Sequence, residues 1–258
     1  MSKAIVVLFS AFLCLLFVTT SSLRAQGPPP PDFTGVYMPV DPFGQFRRPA
    51  AAPPASDGVP APRPVLVLDG REGRPDNAPK LTPEYLAKWE VIRQSRIAGS
   101  DEFDPNVRCI SAGMPSMMSM TYGMELQHTK DKITMYGELN DVYRRIWLDG
   151  RQPSQRVLDD PTFAGYSTGH WEGDTLVVET VAIREDALFD SFSPHSDQFT
   201  VTERIRFISP GVLENRITST DPKALLEPFT SVRTYTKASP PNDELREFSC
   251  AEGLGSTK

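Results

Sequence analysis

Histidine and cysteine, which supply most metal ligands and many catalytic groups, are scarce in this chain, with three of each among 258 residues. The sequence has no glycine-rich phosphate loop, Walker motif or dinucleotide-binding fingerprint, and its cysteines are not closely spaced. We therefore expect no cofactor and no metal. An excess of basic residues is also missing, because the formal net charge is -6. This charge argues against nucleic acid as a partner.

Long apolar runs are missing from all of the chain except its N-terminus. Lys3 precedes an apolar run over residues 4–18, and a short polar stretch then leads to Ala25. This order is typical of a secretory signal, and a run of about 15 residues is short of the roughly 20 that span a bilayer. We expect residues 1–25 to be a cleaved signal peptide, with a retained anchor as the alternative. The mature chain, which has no membrane span, is then periplasmic or secreted.

Signal cleavage changes how the cysteines are interpreted. It removes Cys14 and leaves Cys109 and Cys250. An even pair of cysteines in an exported protein predicts a disulfide, and two buried thiols are the alternative. Cleavage also removes Lys3 and Arg24, the only charged residues of that segment, so the formal charge falls by two, from -6 to -8.

Proline is concentrated in one segment, since 12 of the 25 prolines lie between Pro28 and Pro64. Such a stretch favours extended chain, and we interpret residues 26–80 as a proline-rich arm with one short strand at 32–37. Residues 81–258 are interpreted as a helix followed by a β-barrel domain. Thr82 is the predicted N-cap of the helix, and Pro83 suits its first position.

The remainder of the chain is typical of an all-β fold, because short alternating segments recur with turn residues between them. Consecutive hairpins close most simply as an up-and-down meander. We therefore predict an antiparallel, lipocalin-like barrel. The predicted strands cover residues 124–128, 133–138, 142–148, 166–171, 176–183, 199–207, 212–218, 229–237 and 244–250.

One predicted strand, residues 199–207, carries a carboxylate among apolar residues. Period-two alternation places Glu203 on the same face as Val201 and Ile205, which points it into the interior. A buried carboxylate must be protonated or paired. One interpretation is a structural ion pair with an inward arginine such as Arg144 or Arg233, and the other is an acid/base group in a cavity.

Histidines near this strand complete the candidate site. His195 and Asp197 lie in the loop before the strand, so His195 with Asp197 or Glu203 is the candidate catalytic group. A histidine that only caps the loop backbone is the alternative. Ser167 lies in a G-x-S-x-G pattern, but no helix follows it, and we reject it as a nucleophile. The candidate ligand-binding residues are His128, Arg145, Tyr166 and His170.

The segment W-E-G-D-T-L-V-V at residues 171–178 resembles a family of uncharacterised exported bacterial proteins. The resemblance extends over residues 104–250 and includes His195-Ser196-Asp197 and Asp221-Pro222-Lys223. The chain departs from that family at Tyr166 and His170. The family has no established activity, so the resemblance implies export and no reaction. Separately, Gly35-Val36-Tyr37 is similar to the start of a lipocalin.

A barrel of eight or nine strands is wide enough for side chains and one small ligand. The leading function is therefore a pocket for a small apolar or aromatic molecule. The first alternative is a cofactor-independent lyase, isomerase or hydrolase in the same pocket. The second is a structural envelope protein whose barrel is filled.

Overall fold

Nine β-strands close into a barrel in the order β1 to β9, in a computed structural model of the chain. The structure describes residues 29–40, 74, 77–100, 102–104, 107–119, 122–139, 142–190, 192–246 and 248. Strands predominate in these residues, and the prediction of an all-β barrel is confirmed. The strands are Gly35–Pro39, Met124–His128, Lys132–Gly137, Val142–Trp147, Tyr166–Glu172, Thr175–Val181, Thr200–Ser209, Val212–Thr220 and Phe229–Lys237.

The barrel is mixed, because one of its strand pairings is parallel. β4 and β5 pair in parallel through Ile146 with Ser167 and Trp147 with Thr168, whereas the other neighbours pair antiparallel. The chain between these two strands contains a short helix at Gln155–Asp159, and it returns so that both strands run in the same direction. Among the nine described strands, the up-and-down course that hairpin spacing predicts is interrupted only here.

β1 lies inside the segment that composition marks as an arm. It pairs with β2 through residues 35–37 and with β9 through residues 37–39, so it joins the first and last strands of the barrel. The predicted strand at 244–250 is wrong for its described part, since residues 244–246 and 248 have no strand structure. The residues 247, 249 and 250 lie outside the described part of the chain.

Helix α1 spans Pro83–Ile97 and begins where the sequence predicts. Thr82 takes the N-cap position, but its hydroxyl makes no capping bond and donates to the carbonyl of Lys223 at 3.0 Å. Trp89 is buried on the inner side of the helix, as its spacing predicts. A second, five-residue helix, α2, covers Gln155–Asp159, and a short 3-10 helix covers Ser116–Ser119.

The W-E-G-D motif forms the turn between β5 and β6. Gly173 has a φ of 64°, in the left-handed region that favours glycine, and Trp171 pairs with Leu176 across the hairpin. The Trp171 ring lies 5.3 Å from that of Phe33 and 5.9 Å from that of His128. Phe207 contacts Phe33 edge-on at 5.2 Å. The motif therefore helps to close one end of the barrel with aromatic side chains.

Candidate functional site

A buried ion pair occupies the middle of the barrel. Arg144 on β4 and Glu203 on β7 are 2 % and 0 % exposed. Both point inward because their strands alternate between buried and exposed positions. Arg144 Nη1 donates to Glu203 Oε1 at 3.1 Å, and Nη2 donates to Oε2. Arg144 is therefore the arginine that pairs with Glu203, as the interpretation of a structural ion pair requires.

Neighbouring polar residues satisfy the rest of this pair. Arg144 Nε donates to Ser167 Oγ at 3.1 Å, and Nη2 donates to Thr180 Oγ1 at 3.0 Å. Asn215 Nδ2 donates to Glu203 Oε1 at 2.7 Å. The serine of the G-x-S-x-G pattern is thus a buried partner of the guanidinium, within a strand rather than a nucleophile turn.

An interior cavity of about 20 Å³ lies beside this polar network. A cavity of that volume can hold about one water molecule. Arg144, Asn215 and Tyr235 are among its lining residues, but the surface that faces the cavity is formed by apolar atoms. The other lining residues are Phe33, Met118, Met124, Leu126, Ile133, Met135, Ile146, Leu176, Ile205 and Leu213.

The Asn215 amide oxygen, Oδ1, and the Tyr37 hydroxyl are both buried and have no hydrogen-bond partner within the described part of the chain. Burial raises the pKa of Tyr37 to about 12, so its hydroxyl stays protonated at neutral pH. The Tyr235 hydroxyl differs because it donates to the carbonyl of Met118. Asn215 Oδ1 is therefore a buried, unsatisfied acceptor on a residue that lines the cavity, although it is not itself exposed on the cavity surface.

His195 lies in a packed loop. Its ring is 3 % exposed, stacks on Phe199 at 4.2 Å, and places Nδ1 2.9 Å from the carbonyl oxygen of Ser196. Because a carbonyl can only accept, Nδ1 carries the proton of that bond. Burial lowers the pKa of His195, which favours the neutral ring. These contacts match the interpretation of a histidine that caps the loop backbone.

The residues after His195 connect the motif His195-Ser196-Asp197 to the motif Asp221-Pro222-Lys223. Ser196 and Asp221, which are bonded to each other, are 25 residues apart in the sequence. Asp221 accepts from the Ser196 amide at 2.7 Å and the Ser196 hydroxyl at 2.9 Å. It also accepts from the amides of Lys223 and Ala224 at 2.9 and 3.0 Å. Asp197 is exposed and pairs with Lys223 Nζ at 2.6 Å. These contacts, here called the loop clasp, fix the β6–β7 loop to the β8–β9 loop.

The three candidate catalytic residues therefore have separate surroundings. His195 is bound to its own loop, Asp197 is on the surface with Lys223, and Glu203 is inside the barrel with Arg144. No proton-transfer contact among the three is formed in this arrangement.

The four candidate ligand-binding residues also divide between two regions. His128 lies at the aromatic end of the interior, accepts from the Phe33 amide at 3.3 Å, and has its pKa lowered by burial. Arg145 is exposed and donates to the Tyr143 hydroxyl at 2.8 Å. Tyr166 is half-buried and His170 is exposed, both at outward positions of β5. Only His128 belongs to the barrel interior.

Cys109 is described, and it lies in the loop before the 3-10 helix with a φ of 54°. Cys250 is outside the described residues, so the disulfide stays a prediction. Within the described ranges, no group of three or more histidine, cysteine, aspartate or glutamate side chains is arranged to hold a metal ion. In the same part of the chain, no helix is long and apolar enough to cross a membrane.

The fold and interior define a closed β-barrel protein with a polar network at its centre. No family model matches the chain, and no curated protein matches it.

Proposed function

We propose that this chain is an exported β-barrel protein that binds one small apolar or aromatic molecule inside the barrel. The observation that carries the proposal is the cavity with apolar walls beside the unpartnered oxygen of Asn215. A buried acceptor without a donor is costly, and a ligand that brings a donor removes that cost. The ligand class is therefore an apolar body with one N–H or O–H group.

The size of the cavity sets a requirement on such a ligand. About 20 Å³ accommodates a water molecule and not an aromatic ring. Met118, Met124 and Met135 line the cavity, and methionine is unbranched and fills irregular spaces in several conformations. Binding of a ring thus requires these three side chains to change rotamer, which enlarges the cavity without opening the strands.

Calorimetric titration with indole and 1-methylindole tests the proposal. Both compounds have the same ring system, but only indole has an N–H for Asn215 Oδ1. We expect saturable indole binding, and up to about tenfold weaker binding of 1-methylindole, because a net hydrogen bond contributes about 1 kcal/mol. Ile205→Phe should fill the cavity and abolish binding, whereas Ile208→Phe, at an exposed position of the same strand, should leave it unchanged.

A structural envelope protein with a filled barrel is the second candidate. The small cavity favours it, as does the completeness of hydrogen bonding around Arg144 and Glu203. Absence of indole binding by folded protein, together with unchanged melting in its presence, would support this candidate over the first. The acid/base enzyme is not proposed, because His195, Asp197 and Glu203 each have other partners.

The export part of the proposal rests on the signal-like order of residues 1–25. The mature protein is periplasmic or secreted and begins at Gln26. N-terminal sequencing of protein recovered from the periplasm or medium should find Gln26 as the first residue. Recovery of uncleaved protein in the cytoplasm would contradict it.

A further inference from the structure

A three-residue segment lies against the cavity at the aromatic end of the barrel. It consists of Asp32, Phe33 and Thr34, lies directly before β1, and is here called the strap. The Phe33 side chain is fully buried and forms part of the cavity lining, whereas Asp32 and Thr34 are exposed. At Phe33 the cavity is therefore one residue away from solvent-exposed chain.

The Phe33 ring is held by packing against other rings. Its centre lies 5.3 Å from that of Trp171 and 5.2 Å from that of Phe207. The centre of the His128 ring lies 6.1 Å away. The register pairs of β1 begin at Gly35, so the strap can move without breaking any of them. Displacement of Phe33 thus opens the cavity wall while the barrel stays closed.

Two hydrogen bonds join the strap to His128. The Phe33 amide donates to His128 Nδ1 at 3.3 Å, and the His128 amide donates to Thr34 Oγ1 at 3.3 Å. A ring nitrogen that accepts carries no hydrogen, so the imidazole is neutral with its proton on Nε2. The bond from the Phe33 amide exists only in this protonation state.

Asp32 is the charged group that faces His128. Its Oδ1 lies 3.5 Å from His128 Nδ1 and also accepts from the Thr34 amide and hydroxyl at 2.8 and 2.7 Å. Lys237 on β9 contacts the strap, because its Nζ donates to the Thr34 carbonyl oxygen. Charged residues of the surrounding strands are at outward positions, namely Glu125, Lys132, Glu172, Arg204 and Arg206.

We propose that the strap is a gate of the cavity, which protonation of His128 opens. A protonated ring carries hydrogen on both nitrogens, so Nδ1 no longer accepts from the Phe33 amide and donates to the Asp32 carboxylate instead. The Phe33 amide is then without its acceptor, and the strap loses the bond that holds its buried ring in place. As a route for a ligand the gate rests on the proposed function, whereas the exchange of hydrogen bonds does not.

Acid conditions are therefore expected to open the gate. Burial lowers the pKa of His128 below its ordinary value of 6.5, and the nearby Asp32 carboxylate opposes this shift. The closed strap requires the neutral imidazole. It is thus complete at pH 8 and is lost as pH falls through the lowered pKa of His128.

Amide hydrogen exchange of the mature chain tests the exchange of hydrogen bonds. After correction for intrinsic rates, protection of the Phe33 amide should fall roughly fivefold to tenfold between pH 8 and pH 5, the factor for one net hydrogen bond. His128→Asn places an amide oxygen near the position of Nδ1 and should remove the pH difference. His170→Asn, at an exposed histidine, should keep it. Equal protection in wild type at the two pH values would overturn the proposal, even if His128→Asn does not fold.

Peroxide access tests the opening of the cavity without any ligand. Hydrogen peroxide transfers an oxygen atom to methionine sulfur and leaves as water. Oxidation of Met124 and Met135, which line the cavity, should be at least about fivefold faster at pH 5 than at pH 8, in line with the same lost bond. Met117, which is buried outside the lining, is the matched control and should show no change. Peptide mass spectrometry measures each rate.

The outcomes separate the gate from the proposed function. If indole does not bind but peroxide reaches Met124 and Met135 faster at pH 5, the proposed function fails and the gate stands. Peroxide access that is equal at both pH values, or an increase that includes Met117, would overturn the gate even where indole binds.

Discussion

Arg144 on β4 hydrogen-bonds to one side chain on each of the next three strands: Ser167 on β5, Thr180 on β6 and Glu203 on β7. β4 and β5 themselves are joined by only two register pairs, in parallel. Among the described strands, the β4–β5 pairing has the fewest register pairs, since each pairing of β1 has three. The Arg144 guanidinium therefore connects the two strands of the shortest pairing. This relationship gives the ion pair a role in closing the barrel, independent of any ligand.

Glu203→Gln tests that role. The change leaves the Arg144 charge buried without its counter-charge, and breaking a buried pair in this way costs about 3 to 5 kcal/mol of unfolding free energy. Urea unfolding followed by circular dichroism measures it. Glu179→Gln, on an exposed position of β6, is the matched control and should change stability by less than about 0.5 kcal/mol. Equal stability of the two variants would contradict the structural role of Glu203.

The loop clasp gives a second prediction. Asp221→Ala removes an acceptor of four hydrogen bonds at a buried position and should destabilise the protein by about 3 kcal/mol. Asp197→Ala breaks only an exposed pair and should cost less than about 1 kcal/mol. Thermal unfolding of both variants checks the order. A larger loss of stability for Asp197→Ala than for Asp221→Ala would show that the surface pair of Asp197 with Lys223 holds the two loops together.

The raised pKa of the buried Asp190 carboxyl predicts an unusual dependence of stability on pH. Burial raises the pKa of Asp190 from 3.8 to about 6, so the folded state holds this proton more strongly than the unfolded state. The stability contributed by the protonated carboxyl is present below the unfolded pKa and is lost as pH rises through the folded one. Asp190→Asn should therefore stabilise the protein at pH 8 by on the order of 1 to 3 kcal/mol and have little effect at pH 4.

Denaturant unfolding of wild type and Asp190→Asn at both pH values measures this difference. A variant that is less stable than wild type at pH 8 would contradict it and would indicate that ionised Asp190 is a net stabilising partner of Arg74 and Arg233.

Thiol labelling tests the predicted disulfide between Cys109 and Cys250. Mature protein that is unfolded without reductant should contain no reactive thiol, and reduction should reveal two. Cys109→Ser should lower stability by about 3 to 5 kcal/mol, because the predicted disulfide closes a loop of about 140 residues. Two labelled thiols before reduction would refute the prediction.

Local patterns in the sequence were sufficient for most of the barrel. Alternation along residues 199–207 correctly places Glu203 inside, and Pro83 correctly locates the start of α1. The short strand predicted at 32–37 corresponds to β1 at Gly35–Pro39, but the sequence did not show that it pairs with both β2 and β9, because those partners lie far away in the chain. The parallel pairing of β4 with β5 was also missed. Whether β5 runs parallel or antiparallel to β4 depends on how residues 148–165 connect them, and strand periodicity carries no information about that connection.

The site was harder to predict than the fold. Glu203 gave a signal because it interrupts an apolar face, but Asn215 and Thr180 alternate like ordinary strand residues. The bond between Ser196 and Asp221 joins residues on different loops, so neither residue is informative alone. Placing Arg145, Tyr166 and His170 near a ligand relied on residue type, and their outward positions followed from strand register instead.

The most direct test of ligand binding inside the barrel is NMR of methionine methyl groups during an indole titration. Single Met→Leu variants assign the resonances of Met118, Met124 and Met135, which line the cavity. Met38, which is not part of the lining, serves as the internal control. The proposal predicts saturable shifts of the three cavity resonances with one common dissociation constant and no shift of Met38. Unchanged cavity resonances at saturating indole would contradict it and leave a filled structural barrel.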